Sequence, residues 1–131
     1  MDAVLKIIEK NLIKSAHDCS KGGLSIAISE LCMINQIGCN ISLEKIPGEK
    51  LDSDKILFSE SHSRYLVTIE NKNLQKLEET LKKYNVSYSL IGEFTGDSIC
   101  FSSDSKPIID LSVDKAQKTW YNSLKEMVLH A

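Results

Sequence analysis

A change of period across two glycines constrains this chain more than any other feature. Residues Ile13 to Asp18 form a short extended run, Ser20-Lys21-Gly22-Gly23 interrupts it, and Leu24, Ala27, Ile28, Leu31 and Ile34 then recur at helical spacing. A strand that feeds a helix through a tight turn calls for a layered α/β arrangement, because the helix must cover a sheet with its apolar stripe. The rest of the 131 residues alternates in the same way. Val4, Leu5, Ile8 and Leu12 predict an amphipathic helix over residues 2–12, with the lysines and Glu9 facing water. Cys39 to Leu43 reads as a short strand, Pro47-Gly48 through Asp54 as a surface loop, and Ile56 to Arg64 as a segment of mixed character. Tyr65 to Ile69 is rich in β-branched and aromatic residues and reads as a central strand, followed by a helix with Leu74, Leu77, Leu81 and Tyr84 on one side.

Val86, Tyr88 and Leu90 alternate with Ser87 and Ser89, and Thr95-Gly96-Asp97 turns the chain into Ser98 to Phe101, which together predict a hairpin. Pro107 to Leu111 adds an extended segment, and Ala116, Trp120, Leu124 and Val128 form the stripe of a closing helix. The expected fold is α/β of the α+β kind: a layered sandwich of a mixed sheet covered by helices, as a single domain over residues 1–131, without repeats.

Composition narrows the function classes. Hydrophobic residues make up 42% and charged residues 26%, enough to bury a core. A net charge of -2 supplies no field that would drive counterion release from a nucleic acid, so DNA or RNA binding is disfavoured. There is no apolar run near the roughly 20 residues that cross a bilayer and no basic-then-apolar leader, so a cytoplasmic chain without membrane contact is expected. Cys19, Cys32, Cys39 and Cys100 include no CxxC pair, which favours free thiols over zinc. Arg64 is the sole arginine.

Two segments could carry chemistry. In the first, Asp18, Ser20, Lys21, Gly22 and Gly23 precede a helix; its amides and dipole could cradle an anion, or Asp18 or Ser20 could merely cap it. In the second, Glu60, Ser61, His62, Ser63 and Arg64 crowd before an apolar strand. Glu60 could accept from ligand hydroxyls or help hold Mg²⁺, the serines could donate to phosphate, and Arg64 could fork onto a phosphate or carboxylate. The alternative is a serine-rich turn in which Glu60 and Arg64 pair with each other. His17 and His62 have no partner at metal-ligand spacing, His130 lies at the end of the sequence, and no serine carries the GxSxG pattern of a nucleophile.

Taken together, SAHDCSKGGLSIAISEL and LFSESHSRYLVTI resemble the C-terminal domain of the phosphoribosylformylglycinamidine synthase family, within the aminoimidazole ribonucleotide synthetase-related superfamily. IGEFTG and IDLSVDKAQKTW sit where that domain has its hairpin and its Trp-bearing terminal helix. The resemblance implies a partly ferredoxin-like sandwich packed on an N-terminal nucleotide-binding domain that would hold most of the ATP and Mg²⁺. It implies conversion of formylglycinamide ribonucleotide, ATP and ammonia to formylglycinamidine ribonucleotide, ADP and phosphate. Ammonia would come from a glutaminase subunit with a small accessory subunit. Asp18, Ser20, Gly22, Gly23, Glu60, Ser61, His62, Ser63 and Arg64 would then contact substrate or nucleotide, with no catalytic residue or metal ligand in this segment. Lys21 stands where the family usually has an acid, and His62 where it often has glutamine. Looser versions of the first motif occur in selenophosphate synthetase, thiamine-monophosphate kinase and a hydrogenase-maturation protein, so a related phosphotransferase or a non-catalytic assembly module are the alternatives.

Overall fold

The computed structural model describes residues 1–48, 51–60 and 64–129. The chain folds into two compact units, Met1–Ala27 with Pro47–Ser89, and Ile28–Ile46 with Leu90–Ala131. The expected mixed α/β class is found, with helices and a mixed sheet.

In the first unit, α1 (Asp2–Glu9) carries an acid in its first turn, where the helix dipole favours it. The helix is shorter than the period suggested. Asn11 takes a left-handed φ of 53°, and the amides of Asn11 and Leu12 turn back onto the carbonyls of Ile8 and Ile7. Its buried face is also rotated: Ala3 and Ile7 go inward, while the expected Leu5 and Ile8 are 52% and 47% exposed. Ala3, Ile7 and Leu12 pack with Leu77 and Leu81 of α4 (Leu74–Lys83), and Ile13, Val67, Ile69 and Tyr88 close around them. Tyr84, expected on the covered side of α4, is exposed.

Between these helices β1 (Ser15–Asp18) pairs antiparallel with β3 (Tyr65–Thr68), Ser15 opposite Thr68 and Asp18 opposite Tyr65. The hydroxyls of Ser15 and Thr68 meet at 2.6 Å across the ladder. Residues 65–68 were expected in the middle of a sheet, yet among the described residues this ladder has two strands only. A short helix, α3 (Ser53–Phe58), begins inside the expected surface loop and ends inside the segment of mixed character, with Leu57 buried. The helix α2 (Gly23–Asn35) begins in this unit and ends in the second.

The second unit is built on the sheet β4-β2-β5-β6, with β2 at Cys39–Ser42, β4 at Gly92–Phe94, β5 at Ser98–Ser103 and β6 at Lys106–Ser112. The β2–β5 pair is parallel and the other two pairs are antiparallel, which makes the sheet mixed. Register sets two rows of side chains on one face: Phe94, Cys39, Ile99 and Leu111, then Gly92, Ile41, Phe101 and Ile109. Cys39, Ile41, Ile99 and Phe101 are buried, and so are Ile28, Leu31, Cys32, Leu43 and Val113 among the described residues of this unit.

The predicted hairpin does not form. Residues 86–90 are not strand, and β4 and β5, although joined by Thr95–Asp97, lie on opposite sides of β2. The linking turn hydrogen bonds to Gly38 instead: Gly38 N–H donates to Gly96 O at 2.8 Å and Thr95 N–H to Gly38 O at 2.9 Å. A side chain at Gly38 would collide with the backbone of Ser98 and Thr95, so glycine there lets β2 slide between its neighbours. Ile34, expected in the α2 stripe, is 75% exposed. In α5 (Val113–Leu129), Val113 is buried, but Trp120 is 47% exposed, so the expected stripe is not covered there; the side chains of Leu124 and Val128 lie outside what the structure describes.

The cysteines are free thiols, three of them buried. Contact with the Cys39 thiol, and then burial, push the Cys32 thiol well above the ordinary range. Among the described residues no helix is long and apolar enough to cross a membrane.

Candidate functional site

The two polar segments meet within the first unit. Pairing of β1 with β3 sets Asp18 opposite Tyr65, and the ladder is extended one step by Cys19 N–H donating to Arg64 O at 3.0 Å. Just beyond, the chain turns through Gly22 and Gly23, with φ of +76° and +68°, values that an L side chain rarely takes. Gly23 lies flat against the end of α3. A Cβ there would sit 2.8 Å from Leu57 O, Phe58 C and Ser59 O. Gly22 N–H then donates to Glu60 Oε1 at 3.0 Å, a bond spanning 38 positions of sequence.

That bond engages the amide just before the start of α2. The first turn of a helix leaves amides without partners, and its positive end favours a carboxylate. Neither Asp18 nor Ser20 supplies a side-chain cap among the described residues, and α2 has no acid in its first turn. Glu60 does the work from a distant segment. No Glu60–Arg64 bridge closes this turn among the described residues, where the Arg64 Nη1 has no hydrogen-bond partner. Ser25 Oγ–H donates to Gly22 O at 3.3 Å and holds the other side of the glycine turn.

Arg64 is half-buried, and its Nη1 is shut off from solvent with no hydrogen-bond partner among the described residues. A guanidinium nitrogen in that state is unusual, because buried donors are nearly always satisfied. The residue also lines a cavity of about 330 Å³ whose other walls include Ala3, Ile7, Tyr65, Val67 and Val86. Burial holds the neighbouring Cys19 thiol above its ordinary value; the Arg64 charge pulls it down and Asp18 pushes it up, but burial wins.

Of the residues singled out from sequence, Asp18, Ser20, Gly22, Gly23, Glu60 and Arg64 are thus brought to one joint. Ser61, His62 and Ser63 lie outside the described residues. His17 faces Leu66 across the ladder. Two participants lie within the quoted motifs without having been given a role: the backbone of Leu57 to Ser59 under Gly23, and the thiol of Cys19 beside Arg64. Among the described residues no three His, Cys, Asp or Glu side chains converge as a metal site.

Residues 1–103 fit the family described as AIR synthase related protein, C-terminal domain, and the chain belongs to that family. Among curated relatives, phosphoribosylformylglycinamidine synthase subunit PurL of Thermococcus sibiricus is 36% identical over 129 residues, 98% of this chain and 17% of that protein. The subunit of the same name from Alkaliphilus metalliredigens is 30% identical over 122 residues, 93% of this chain and 16% of that protein. The chain spans about a sixth of the length of these relatives. Among solved structures, T. maritima PurL complexed with ATP shares the fold at a TM-score of 0.81 and 22% identity, over 88% of this chain and 20% of that one. A chain of the HypE–HypF complex does so at 0.69 and 20%, over 87% of this chain and 40% of that one.

Proposed function

We propose that this chain supplies the C-terminal portion of a phosphoribosylformylglycinamidine synthase subunit, an ATP-dependent carbon–nitrogen ligase. The enzyme would convert formylglycinamide ribonucleotide and ammonia to formylglycinamidine ribonucleotide in cytoplasmic purine biosynthesis. On this reading residues 1–131 act as one domain docked on an N-terminal nucleotide-binding domain, with a glutaminase subunit and a small accessory subunit delivering ammonia. The observation that carries the reading is the meeting of the two family motifs, with Gly22 N–H 3.0 Å from the Glu60 carboxylate. It is supported by the similarity to subunit PurL over 98% of this chain.

The joint would form one wall of a cleft for a phosphate-bearing ligand. Its candidate donors are the Ser20 hydroxyl and the Arg64 guanidinium, whose Nη1 has no partner among the described residues, and such donors suit phosphate oxygens. Asp18, Gly22, Gly23, Glu60, Ser61, His62 and Ser63 complete the proposed binding set. Bound ATP would supply a phosphoryl group that converts the substrate amide oxygen into a leaving phosphate; the residues here would orient charge and exclude water. Mg²⁺ is commonly held by one or two carboxylates together with phosphate oxygens and water, and among the described residues no three His, Cys, Asp or Glu side chains converge. On this reading Mg²⁺ and most of the ATP belong to the N-terminal domain.

The chain by itself is expected to show no formylglycinamide-dependent ATP hydrolysis, and to contribute to turnover when the N-terminal portion of a relative is added. Robust turnover by the isolated chain would overturn the division of labour. In the reconstituted enzyme Arg64→Lys keeps the charge and loses the planar fork, so affinity for the phosphate ligand should fall roughly tenfold. Unchanged affinity in a titration would remove Arg64 from the contact. One observation favours a second reading, a non-catalytic assembly module: the Glu60 carboxylate is used within the chain. Full activity after Glu60→Ala and Arg64→Ala together would select it.

A further inference from the structure

We infer that the cavity lined by Arg64 is a binding site for a small amphipathic anion: a carboxylate held by the guanidinium, with a short apolar tail in the space between α1, β3 and α4. This use of Arg64 goes beyond the phosphate wall proposed above and does not depend on it.

The cavity of about 330 Å³ lies wholly within the first unit. Its sides are apolar: Ala3, Val4 and Ile7 of α1, Val67 of β3, Leu81 of α4 and Val86 beyond it. Ala3, Ile7 and Leu81 are buried, which closes that side, while Val86 is 42% exposed and stands at the rim. Among the described residues Arg64 is the one charged side chain that lines this space. The adjacent Tyr65 hydroxyl is already bonded to Met1 Sδ at 3.8 Å. Arg64 Nη1, by contrast, is closed to solvent and has no hydrogen-bond partner among the described residues. A charged donor left in that state beside apolar walls costs free energy that a bound acceptor recovers. The planar fork fits a carboxylate on one edge, and its remaining N–H donors stay free for the phosphate wall. Volume sets the tail. An apolar cavity of ~150 Å³ holds benzene, so about 330 Å³ admits a body up to roughly twice as large. An alkyl carboxylate such as octanoate has that size, whereas a bare phosphate would leave the apolar sides without a partner.

Octanoate, octanol and inorganic phosphate separate charge from tail, each titrated into the full chain and read by amide shifts in NMR. Octanoate should move Ala3, Ile7, Val67 and Val86 saturably, with a Kd at or below about 1 mM. Octanol keeps the tail and loses the charge, so it should bind at least about tenfold more weakly. Phosphate should leave Ala3 and Ile7 unmoved. Arg64→Gln should reduce octanoate to the affinity of the alcohol. Val86→Trp, a change at the exposed rim that leaves the guanidinium in place, should abolish binding of both by filling the space. Octanol binding as tightly as octanoate would mean an apolar void without anion recognition, and saturation of these amides by phosphate alone would mean a phosphate subsite; either overturns the assignment. Octanoate binding that survives Val86→Trp, or no saturable shift up to about 10 mM, overturns it as well. None of these titrations uses ATP or an N-terminal portion, so their failure is distinguishable from failure of the reconstitution.

Discussion

Gly23→Ala is expected to cost this chain roughly 2–4 kcal/mol of stability and to separate the two motif segments, the sum of a clash and an imposed left-handed backbone. The clash is with main chain. An added Cβ would stand 2.8 Å from Leu57 O, Phe58 C and Ser59 O, and backbone at the end of α3 cannot swing aside as a side chain tip could. Leu57 itself is 2% exposed, so the segment is held from its buried side as well. Gly96→Ala is the matched control: its φ is +69°, close to that of Gly23, but nothing lies within 4 Å of its virtual Cβ. It should lose only the conformational part, about 1 kcal/mol. Urea unfolding of the two variants beside wild type measures the difference directly. Equal losses would show that the α3 backbone yields, and that the close approach of Gly23 is not a constraint on the joint.

Phe101→Ala should have the larger effect, about 3–5 kcal/mol, the range seen when a buried aromatic is cut back and its cavity cannot collapse. Phe101 is 1% exposed and sits in the row between Ile41 and Ile109, with strands paired on both sides. A central strand cannot move inward to fill the void, since its hydrogen bonds to β2 and β6 set its place. Phe101→Leu retains most of the volume and should cost under about 2 kcal/mol. The same denaturation experiment tests both. A loss below about 1 kcal/mol for Phe101→Ala would mean that the sheet face around it is loosely packed.

Much of the local structure was legible because local structure rests on local causes. The period of residues 24–31, the β-branched run at 65–68 and the stripe of α4 each indicate their element without reference to distant residues. The candidate joint was partly legible for the same reason: paired glycines before a helix and a polar cluster before a strand are signals within a dozen residues. Partner choice was not. Val86, Tyr88 and Leu90 alternate as a strand would, yet Val86 and Leu90 are exposed and the segment pairs with nothing as strand, since β2 occupies the place beside β5 that a hairpin would have used. Residues 65–68 have the composition of a central strand but form a two-stranded ladder. Burial on one face, against α1 and α4, selects the same residue types.

The amino-acid sequence alone determined most of the segments that turn, coil and extend, though not residues 86–90 or α3, because backbone preference and apolar spacing act over a few residues. The insertion of β2 between β4 and β5, the rotation of α1 onto Ala3 and Ile7, and the assignment of Gly22's amide to Glu60 were decided only when the chain closed on itself. Each is a choice among chemically equivalent partners far apart in sequence. Shape and the requirement that buried polar groups find a partner make that choice.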